Sequence, residues 1–585
     1  MKFGGKIKST LLSIRKSIRR FPITVAVSTA LAILLIYINE ANLSIGTIEI
    51  LNKIKLVMGL GIPLSLCIGL LIEKFFEENK SIQILLYGIG IGFLVLYYFN
   101  FIDDYRNVSM ARYLGTMLFL LLSFIYIQRI GKKNNYEYYL MDIWSSFVIT
   151  FIYSFVLYFG VSAILFTVDR LFDANIRGEI YYYMFLIVSL IFAVSLFLSK
   201  LPSMEEEYHN FEYTKALKIL LIYIVIPLIT VYTAILYVYF GKILITRQWP
   251  RGLVSHLVLW YSTLSVGVIF LITPILEENK VAKLFKDLFP KIILPVLFMM
   301  FMSIYQRIAQ YGITENRYYV VLLGLWVLGI MLYFSLKKPL RNIIIPISLS
   351  LIILNSVYGP LSSFAVSKSS QNKRLENILS RNNMLNNGEI VKNIEIPLED
   401  KREISNIISY FNLNHELQDV KILPKDFDLN KMETLMGFKY APYSSYEQNK
   451  YFYYSIDWED AIDIKGYDYY ITMNSWDENK KEIDGFNFQC NKSKNTLIIS
   501  KEDNIIFEQD MFQFVKDIYD KQEAKAQDGK RNIIDYNDMY YEFAVPDIEG
   551  NMNLKIIFTS INGRVEGDNN LIIESVDFIL LTGNK

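Results

Sequence analysis

Between Phe21 and Val357 the chain carries about eleven apolar stretches, each about long enough to cross the hydrocarbon core of a bilayer as a helix. A backbone segment surrounded by lipid has no water to bond, so a spanning stretch folds as a helix that satisfies its own N–H and C=O groups. About 225 far more polar residues follow, enough for a domain with a core of its own. These features predict an integral membrane protein with a large water-facing C-terminal domain.

The amino-acid composition is typical of a membrane protein and argues against nucleic-acid binding. Hydrophobic residues make up 53% of the 585 residues and charged residues only 20%, which is low for a soluble chain of this size. Lys plus Arg number 59 against 58 for Asp plus Glu, and this balance argues against a nucleic-acid surface. The two cysteines, Cys67 and Cys490, are far apart, so no disulfide framework is expected.

The hydropathy pattern predicts three parts. Residues 1–20 form a basic amphipathic arm, residues 21–360 a polytopic transmembrane helical domain, and residues 361–585 an extracytoplasmic α+β domain. The ninth span is the weakest, because its apolar run is short and contains Pro295. The predicted spans are approximately 21–38, 56–72, 82–99, 113–127, 143–167, 181–198, 217–240, 253–276, 292–304, 318–336 and 343–357.

Orientation is predicted from the basic residues of the connecting segments, because cytoplasmic loops retain Lys and Arg. With the N-terminus in the cytoplasm, about 22 basic residues lie in the inner segments and about 11 in the opposing loops. This asymmetry predicts a bacterial plasma-membrane protein whose C-terminal domain is extracytoplasmic. A single miscounted span would reverse that side.

The interiors of the predicted spans lack ionisable side chains, although an ion-coupled transporter normally places some there. Mid-span polarity comes from groups such as Thr230, Thr233 and Tyr237, which share one helix face, and hydrogen bonding between helices is the favoured explanation. The small residues Gly88 and Gly92 form a GxxxG pair that predicts close helix packing rather than a pore lining.

Several charged clusters share the predicted outer surface, including Asp103, Asp104 and Arg106 after the third span. Arginine holds phosphate or carboxylate through paired hydrogen bonds, and tryptophan favours the headgroup level, so an anionic-ligand site is chemically sensible there. The favoured alternative is interfacial anchoring with salt bridges between loops. The candidate ligand-binding residues are Asp169, Arg170, Arg247, Trp249, Arg251, Glu315 and Arg317.

No catalytic residue, cofactor or metal is predicted. The sequence contains no GxSxG elbow, HExxH or P-loop motif. His209, His256 and His415 are isolated in sequence, so each is expected to be a packing residue rather than a metal ligand. The enzyme question stays open at this stage, although the missing motifs favour a non-enzymatic role.

Five segments carry a family resemblance, and the most specific of them reads Tyr-Gly-Ile-Thr-Glu-Asn-Arg-Tyr. The segments are Arg19 to Thr24, Leu165 to Phe172, Gln248 to Gly252, Tyr311 to Tyr318 and Ser370 to Leu375. They resemble those of the bacterial domain-of-unknown-function family numbered 4153, and the resemblance covers most of residues 1–380. It implies a multi-pass bacterial membrane protein and carries over no catalytic residues.

The C-terminal region alternates short aromatic and β-branched runs with turn residues, which predicts a mainly antiparallel sheet with helices packed on it. Helices are expected near 400–411 and 509–522, and Lys501-Glu-Asp-Asn is expected to form a hairpin turn. The predicted strands are 467–473, 486–490, 496–500, 505–508, 541–545, 553–559 and 571–581.

Two functional hypotheses follow. The first is a cell-envelope protein whose helical base sits in the lipid bilayer and displays residues 361–585 to an envelope protein, peptide or glycan partner. The alternative is a transporter, or a protein that handles lipids or envelope precursors, with the anionic-ligand site at its outer face.

Overall fold

A computed structural model describes most of the chain and divides it into two compact units. Contacts assign Met1–Asp400 and Ile407–Tyr440 to a helical unit, and Lys401–Asn406 with Ala441–Lys585 to a β-rich unit. The described residues are 15–41, 43–102, 107–132, 135–204, 208, 213–246, 253–440, 449–456, 461–474, 480–491, 496–502, 504–525, 533–534, 538–547, 550–566 and 570–584.

Ten helices of the described residues are long and apolar enough to cross a membrane. They are α1 Pro22–Glu40, α2 Ile45–Phe75, α3 Lys80–Asn100, α4 Asn107–Ile127, α5 Tyr136–Phe172, α6 Gly178–Ser199, α7 Lys215–Thr246, α8 Leu253–Ile272, α9 Lys280–Tyr311 and α10 Glu315–Leu336. Three shorter or more polar helices follow in the same unit: α11 Ile344–Val357, α12 Ser363–Arg381 and α13 Leu398–Asn414. A final short helix is α14 Met432–Met436.

The helical bundle confirms the predicted fold class, but most helices extend beyond the apolar runs that predicted them. The ninth differs most, because α9 has 32 residues and includes both Pro290 and Pro295. In a bundle, neighbouring helices and local backbone adjustment compensate for the hydrogen bond that proline removes. The eleventh predicted span forms α11, which has only 14 residues.

Two helices contain π-helical segments, Ile187–Ala193 in α6 and Leu220–Val225 in α7. A π segment widens the helix and shifts its hydrogen bonds. The hydroxyl of Ser28 on α1 donates to the carbonyl of Leu190 within the first segment. This contact ties α1 to α6.

Polar contacts join the loops at one end of the helical unit, which we call the basic end. Arg20 before α1 pairs with Glu73 of α2 at 3.0 Å and donates to the carbonyl of Leu201 after α6 at 2.8 Å. Other links are Lys74 Nζ to Gln128 O at 2.7 Å, Lys132 Nζ to Met204 O at 2.6 Å, Lys218 Nζ to Glu278 at 3.4 Å and Lys338 Nζ to Asp287 at 3.3 Å. The segments predicted to share the inner side are therefore neighbours.

The short helix α11 runs from the basic end to the opposite end, which we call the distal end. Before α11, the buried Asn342 amide donates to Glu137 at 2.6 Å and to Thr273 at 2.9 Å, both at the basic end. After α11, the Tyr358 hydroxyl bonds Thr116 of α4 at 2.7 Å. The chain therefore enters the unit at the basic end and leaves α11 at the distal end.

The expected hydrogen bonds between helices are confirmed for two of the three residues. Thr233 of α7 bonds the Tyr261 hydroxyl of α8, and Tyr237 of α7 donates to the carbonyl of Ile292 in α9 at 2.6 Å. Thr230 instead donates to Ile226 of its own helix at 2.9 Å.

The GxxxG pair does not mediate packing, since a Cβ atom added at Gly88 or Gly92 would meet nothing within 4 Å. Close packing occurs elsewhere, most clearly between α4 and α11. A Cβ atom added at Gly115 of α4 would lie 2.7 Å from a methyl carbon of Val357. This glycine allows the two helices to approach.

The β-rich unit confirms the predicted α+β domain with mainly antiparallel sheets. Its strands are β3 Asn449–Ile456, β4 Tyr469–Asn474, β5 Lys481–Ile483, β6 Phe486–Asn491, β7 Thr496–Lys501, β8 Asn504–Asp510, β9 Ile533–Ile534, β10 Tyr540–Asp547, β11 Gly550–Glu566 and β12 Asn570–Asn584. The small strands β1 Leu385–Asn386 and β2 Glu389–Ile390 form a hairpin in the helical unit.

One sheet has the order β4-β12-β11-β3-β9, with β10 also paired to β11, and only β3 and β9 are parallel. The other is the antiparallel meander β5-β6-β7-β8. The predicted hairpin is confirmed, because Lys501 pairs with Asn504 and Glu502 adopts a φ of 46°. Helix α15, Phe512–Lys525, contributes Met511, Val515 and Ile518 at its start and along one face to the buried core.

Replacing Gly115 with alanine is expected to lower the stability of the protein by about 1–3 kcal/mol, because the new methyl group collides with the branched Val357 side chain. Gly88→Ala is the matched control, and we expect it to be neutral or to stabilise α3 by up to about 1 kcal/mol. Thermal unfolding in detergent checks both. Equal midpoints for the two variants would contradict the packing described for α4 and α11.

Candidate functional site

The turn between α9 and α10 is the centre of the candidate site at the distal end. Helix α9 ends at Tyr311, and Gly312 then adopts a φ of 70°, a left-handed value that favours glycine. A Cβ atom at this position would lie only 2.8 Å from the side-chain nitrogen of Gln371 on α12. Glycine is therefore required both by the backbone angle and by the close approach of α12.

Two polar side chains of α12 hold this turn in place. The buried Gln371 amide donates to the carbonyls of Tyr311 and Ile313, each at 3.0 Å. The hydroxyl of Ser370 accepts a hydrogen bond from the Ile313 backbone N–H at 2.9 Å. Two of the five segments quoted in the sequence analysis, 311–318 and 370–375, are thus in direct contact.

Two guanidinium groups lie over the Tyr311 ring and Arg307 lies one helical turn before Tyr311 on α9, and we call Arg307, Arg317 and Arg374 the arginine group. Arg317 donates to the carbonyl of Gly312 at 2.7 Å and lies 5.5 Å from the centre of the Tyr311 ring. Arg374 lies 5.8 Å from the same ring centre. The charges of Arg307 and Arg374 both act on Arg317.

The arginine group has an excess of positive charge. Within the described part of the chain, neither Arg307 nor Arg317 forms an ion pair with a carboxylate. All three side chains are half-buried, and Tyr311 is exposed. Clustered arginines without a carboxylate partner attract anions and can hold phosphate through paired hydrogen bonds.

Glu315 makes a separate contact, which we call the carboxylate junction. Its Oε1 accepts a hydrogen bond from the Tyr410 hydroxyl at 2.7 Å and lies 2.7 Å from Nε2 of His415. Tyr410 and His415 are themselves 2.9 Å apart. The His415 side chain is only 2% exposed and that of Glu315 19%. The junction therefore fixes the start of α10 to the end of α13.

Burial and the hydrogen bond to Glu315 both raise the pKa of Tyr410 far above its ordinary value. The hydroxyl therefore remains protonated and keeps donating to the carboxylate. The Glu315 carboxylate is engaged by Tyr410 and His415, and among the described residues it forms no ion pair with Arg307 or Arg317.

Asp169 and Arg170, two further candidate residues, make local contacts. The Asp169 carboxylate accepts from the Ile176 backbone N–H at 2.7 Å, and Arg170 lies 5.5 Å from the Phe166 ring centre. In the described ranges, no hydrogen bond or ion pair joins these two residues to Glu315 or Arg317. Arg247, Trp249 and Arg251 lie outside the described residues, as do Asp103, Asp104 and Arg106.

His415 is a buried, hydrogen-bonded residue as predicted, but its contact with Glu315, 100 positions away in sequence, was missed. Tyr410 and Arg374 were also missed. No spacing rule links these residues to Glu315 or Tyr311. The sequence pointed to this site only through α12, because Gln371 lies in the segment Ser370 to Leu375 that resembles the family. Of the other histidines, His256 is exposed and His209 lies outside the described residues.

The part of the chain that the structure describes holds no group of three or more His, Cys, Asp or Glu side chains able to bind a metal ion. The chemistry available at the distal end is therefore that of hydrogen-bond donors and positive charge, beside one engaged carboxylate.

Comparison with known proteins identifies the family. The profile described as "Domain of unknown function (DUF4153)" matches residues 25–383, more than half of the chain. The chain therefore belongs to this family, as the resemblance predicted. An uncharacterised protein of Pasteurella multocida (strain Pm70) is 22% identical over 425 residues, which cover 68% of this chain and 71% of that protein. No solved structure matches the chain significantly.

The carboxylate junction is expected to stabilise the helical unit. Glu315→Gln and His415→Ala should each cost about 1.5–3 kcal/mol, because each removes a hydrogen bond to a charged or buried group. The double variant should cost less than the sum of the two, since both changes remove the same contact.

Thermal unfolding of the purified full chain in detergent measures these costs. His256→Ala is the control, because this histidine is exposed and its replacement should leave the unfolding midpoint unchanged. Strict additivity of Glu315→Gln and His415→Ala would show that the two side chains act independently.

Proposed function

We propose that this family member handles lipids or lipid-linked precursors in the bacterial cell envelope, and that the arginine group binds their anionic head. The observation that carries this proposal is the convergence of three guanidinium groups at the distal end, with Arg307 and Arg317 unpaired by any carboxylate in the described residues. A phosphate-bearing amphiphile is the ligand class that fits such a group at a membrane surface.

The location of the arginine group supports a membrane ligand. Arg307 belongs to the last turns of α9 and Arg317 to the first turn of α10, so both guanidinium groups lie at the ends of candidate membrane spans. Lipid headgroups lie at this level of a bilayer. The exposed Tyr311 between them offers an amphipathic ring suited to the same interface.

We further propose that the basic end faces the cytoplasm and the distal end the outside of the plasma membrane. The positive-inside rule supports this orientation, because the Lys- and Arg-rich loops meet at the basic end. The path of α11 supports the extracytoplasmic placement of the residues that follow it.

A second candidate function is the display of the β-rich unit to an envelope protein, peptide or glycan. It is favoured by the separate hydrophobic core of this unit, which includes Phe488, Phe558 and Phe578. A unit with its own core suits a binding role of its own. Cross-linking of the full-length protein in cells would test this function. Recovery of the protein without any envelope component would remove its support.

Arg307→Gln is expected to weaken binding of an anionic lipid about fivefold, since each basic residue near an anionic surface contributes about 1 kcal/mol. The change should leave the fold intact, because no hydrogen bond or ion pair of this guanidinium occurs among the described residues. Arg341→Gln, which removes an exposed charge at the basic end, is the matched control. The measurement is titration of the full chain in detergent with phosphatidic acid, with phosphatidylcholine as the neutral comparison. Unchanged affinity in Arg307→Gln would overturn the arginine group as the site.

Orientation is testable by thiol labelling, but not with the native cysteines. Cys67 and Cys490 are both buried, and burial raises the pKa of the Cys490 thiol, which lowers its thiolate fraction. Exposed Lys373 on α12 and exposed Lys283 on α9 offer better positions.

With Cys67 and Cys490 replaced by alanine, Lys373→Cys should react with a membrane-impermeant maleimide in intact cells. Lys283→Cys should react only after permeabilisation, because it lies at the basic end. The reverse pattern would place the distal end in the cytoplasm and refute the proposed orientation.

A further inference from the structure

A large apolar cavity opens within the helical unit, separate from the arginine group. Its volume is about 1210 Å³, above the range of about 300–1,000 Å³ usual for small-molecule pockets. Its walls come from α1, α2, α4, α5, α6 and α8 and from the start of α7. The lining is rich in aromatic rings, among them Phe124, Phe151, Phe155, Phe185 and Phe270.

One wall of the cavity is formed by α5, which is more exposed than the other candidate membrane spans. Along α5, only 6% of the most apolar stretch is buried, and Phe147 and Phe151 are 49% and 61% exposed although both line the cavity. A cavity bounded by such an exposed helix is accessible from the hydrocarbon of the bilayer. Its occupant is therefore expected to come from the membrane.

The cavity is long as well as large. Its lining on α5 runs from Leu140 to Phe159, a length of about 28 Å at 1.5 Å per residue. At a tilt of 40°, the upper end of the usual range, this stretch would still span about 22 Å of membrane depth. One leaflet of hydrocarbon is only about 15 Å deep, half of the core thickness. A chain that fills the cavity must therefore be longer than an ordinary acyl chain confined to one leaflet.

Two hydroxyl groups line the middle of this wall. Thr150 and Ser154 line the cavity, and their oxygens are buried with no hydrogen-bond partner among the described residues. Because these oxygens are shielded from the cavity space, this wall presents only apolar surface to an occupant and suits a hydrocarbon chain.

The cavity also approaches positive charge at the basic end. Thr214 and Leu198 line it, and Lys215 and Lys200 follow them by one and two residues. No ion pair of either lysine occurs within the described ranges. Lys200 follows the end of α6 and Lys215 begins α7, so both lie at the ends of segments that line the cavity, and their charge suits an anionic head whose chain enters it.

We propose that the cavity binds a polyprenyl phosphate, with the isoprenoid chain along α5 and the phosphate at Lys200 and Lys215. This site is distinct from the arginine group in both residues and membrane side, so it does not depend on the proposed function. The length of the cavity fits a chain that spans more than one leaflet. The apolar lining suits its hydrocarbon, and the two lysines suit the negative charge of its phosphate.

The test is photolabelling of the full chain in detergent with a polyprenyl phosphate that carries a benzophenone. Ser154→Trp places a large ring in the cavity and should lower labelling at least tenfold. Ile152→Trp is the matched control on the same helix, because Ile152 is 50% exposed and does not line the cavity, and it should label like the wild type. Lys215→Gln, an exposed change that spares the fold, should weaken labelling about fivefold.

Competition identifies the chain. Unlabelled polyprenyl phosphate should displace the probe, whereas dipalmitoyl phosphatidic acid, which shares the phosphate, should displace it at least tenfold less well. Equal displacement by the two would overturn the isoprenoid assignment. Unchanged labelling of both Ser154→Trp and Lys215→Gln would overturn the site. Labelling mapped to the helices that line the cavity should not change in Arg307→Gln, so failure of this test and failure of the arginine group are distinguishable.

Discussion

Hydrocarbon cannot bond a peptide group, and this constraint determines the organisation of the helical unit. Every segment that crosses the bilayer bonds its own backbone as a helix, so charged and irregular segments collect at the two ends. Where a helix departs from regular geometry, a neighbour supplies a bond, as Ser28 does for the π segment of α6. The basic end and the distal end are consequences of this single requirement, and their chemistry differs because their loops carry different charges.

The hydropathy pattern predicted the helices well and their ends poorly. A span is recognised by its apolar residues. Helix α9 nevertheless begins at Lys280, and its first turns, up to Lys291, carry polar side chains and precede the apolar run. Helix ends are determined by caps such as Asn279, whose side chain accepts from the Ala282 N–H at 3.0 Å, and hydropathy does not report them. Seven of the ten described strands of the β-rich unit were predicted, whereas β3, β5 and β9 were missed, and β5 and β9 are too short to show a period of two in the sequence.

Only half of the candidate site was visible in the sequence. Glu315 and Arg317 stand out as charges at the start of a span, but Tyr410, His415 and Arg374 reach them from helices that follow the last apolar stretch. The prediction that Asp169 joins them assumed that loops on one side of a membrane touch. Two loops on the same side of a membrane lie at the same depth. Whether they are neighbours within the membrane plane depends on how the helices pack.

The short helix α11 has a consequence for the bilayer itself. Its 14 residues give an apolar wall about 21 Å tall, against a hydrocarbon core of about 30 Å, while the uncharged stretch of α5 from Ile143 to Val168 measures about 39 Å. Lipids beside α11 thus meet a surface too short for them, and those beside α5 meet one that is too long. Such mismatch thins the membrane at one flank of the protein and tilts or thickens it at another. The protein therefore imposes a gradient of bilayer thickness around its own circumference, so that a lipid experiences a different environment at each helix it passes.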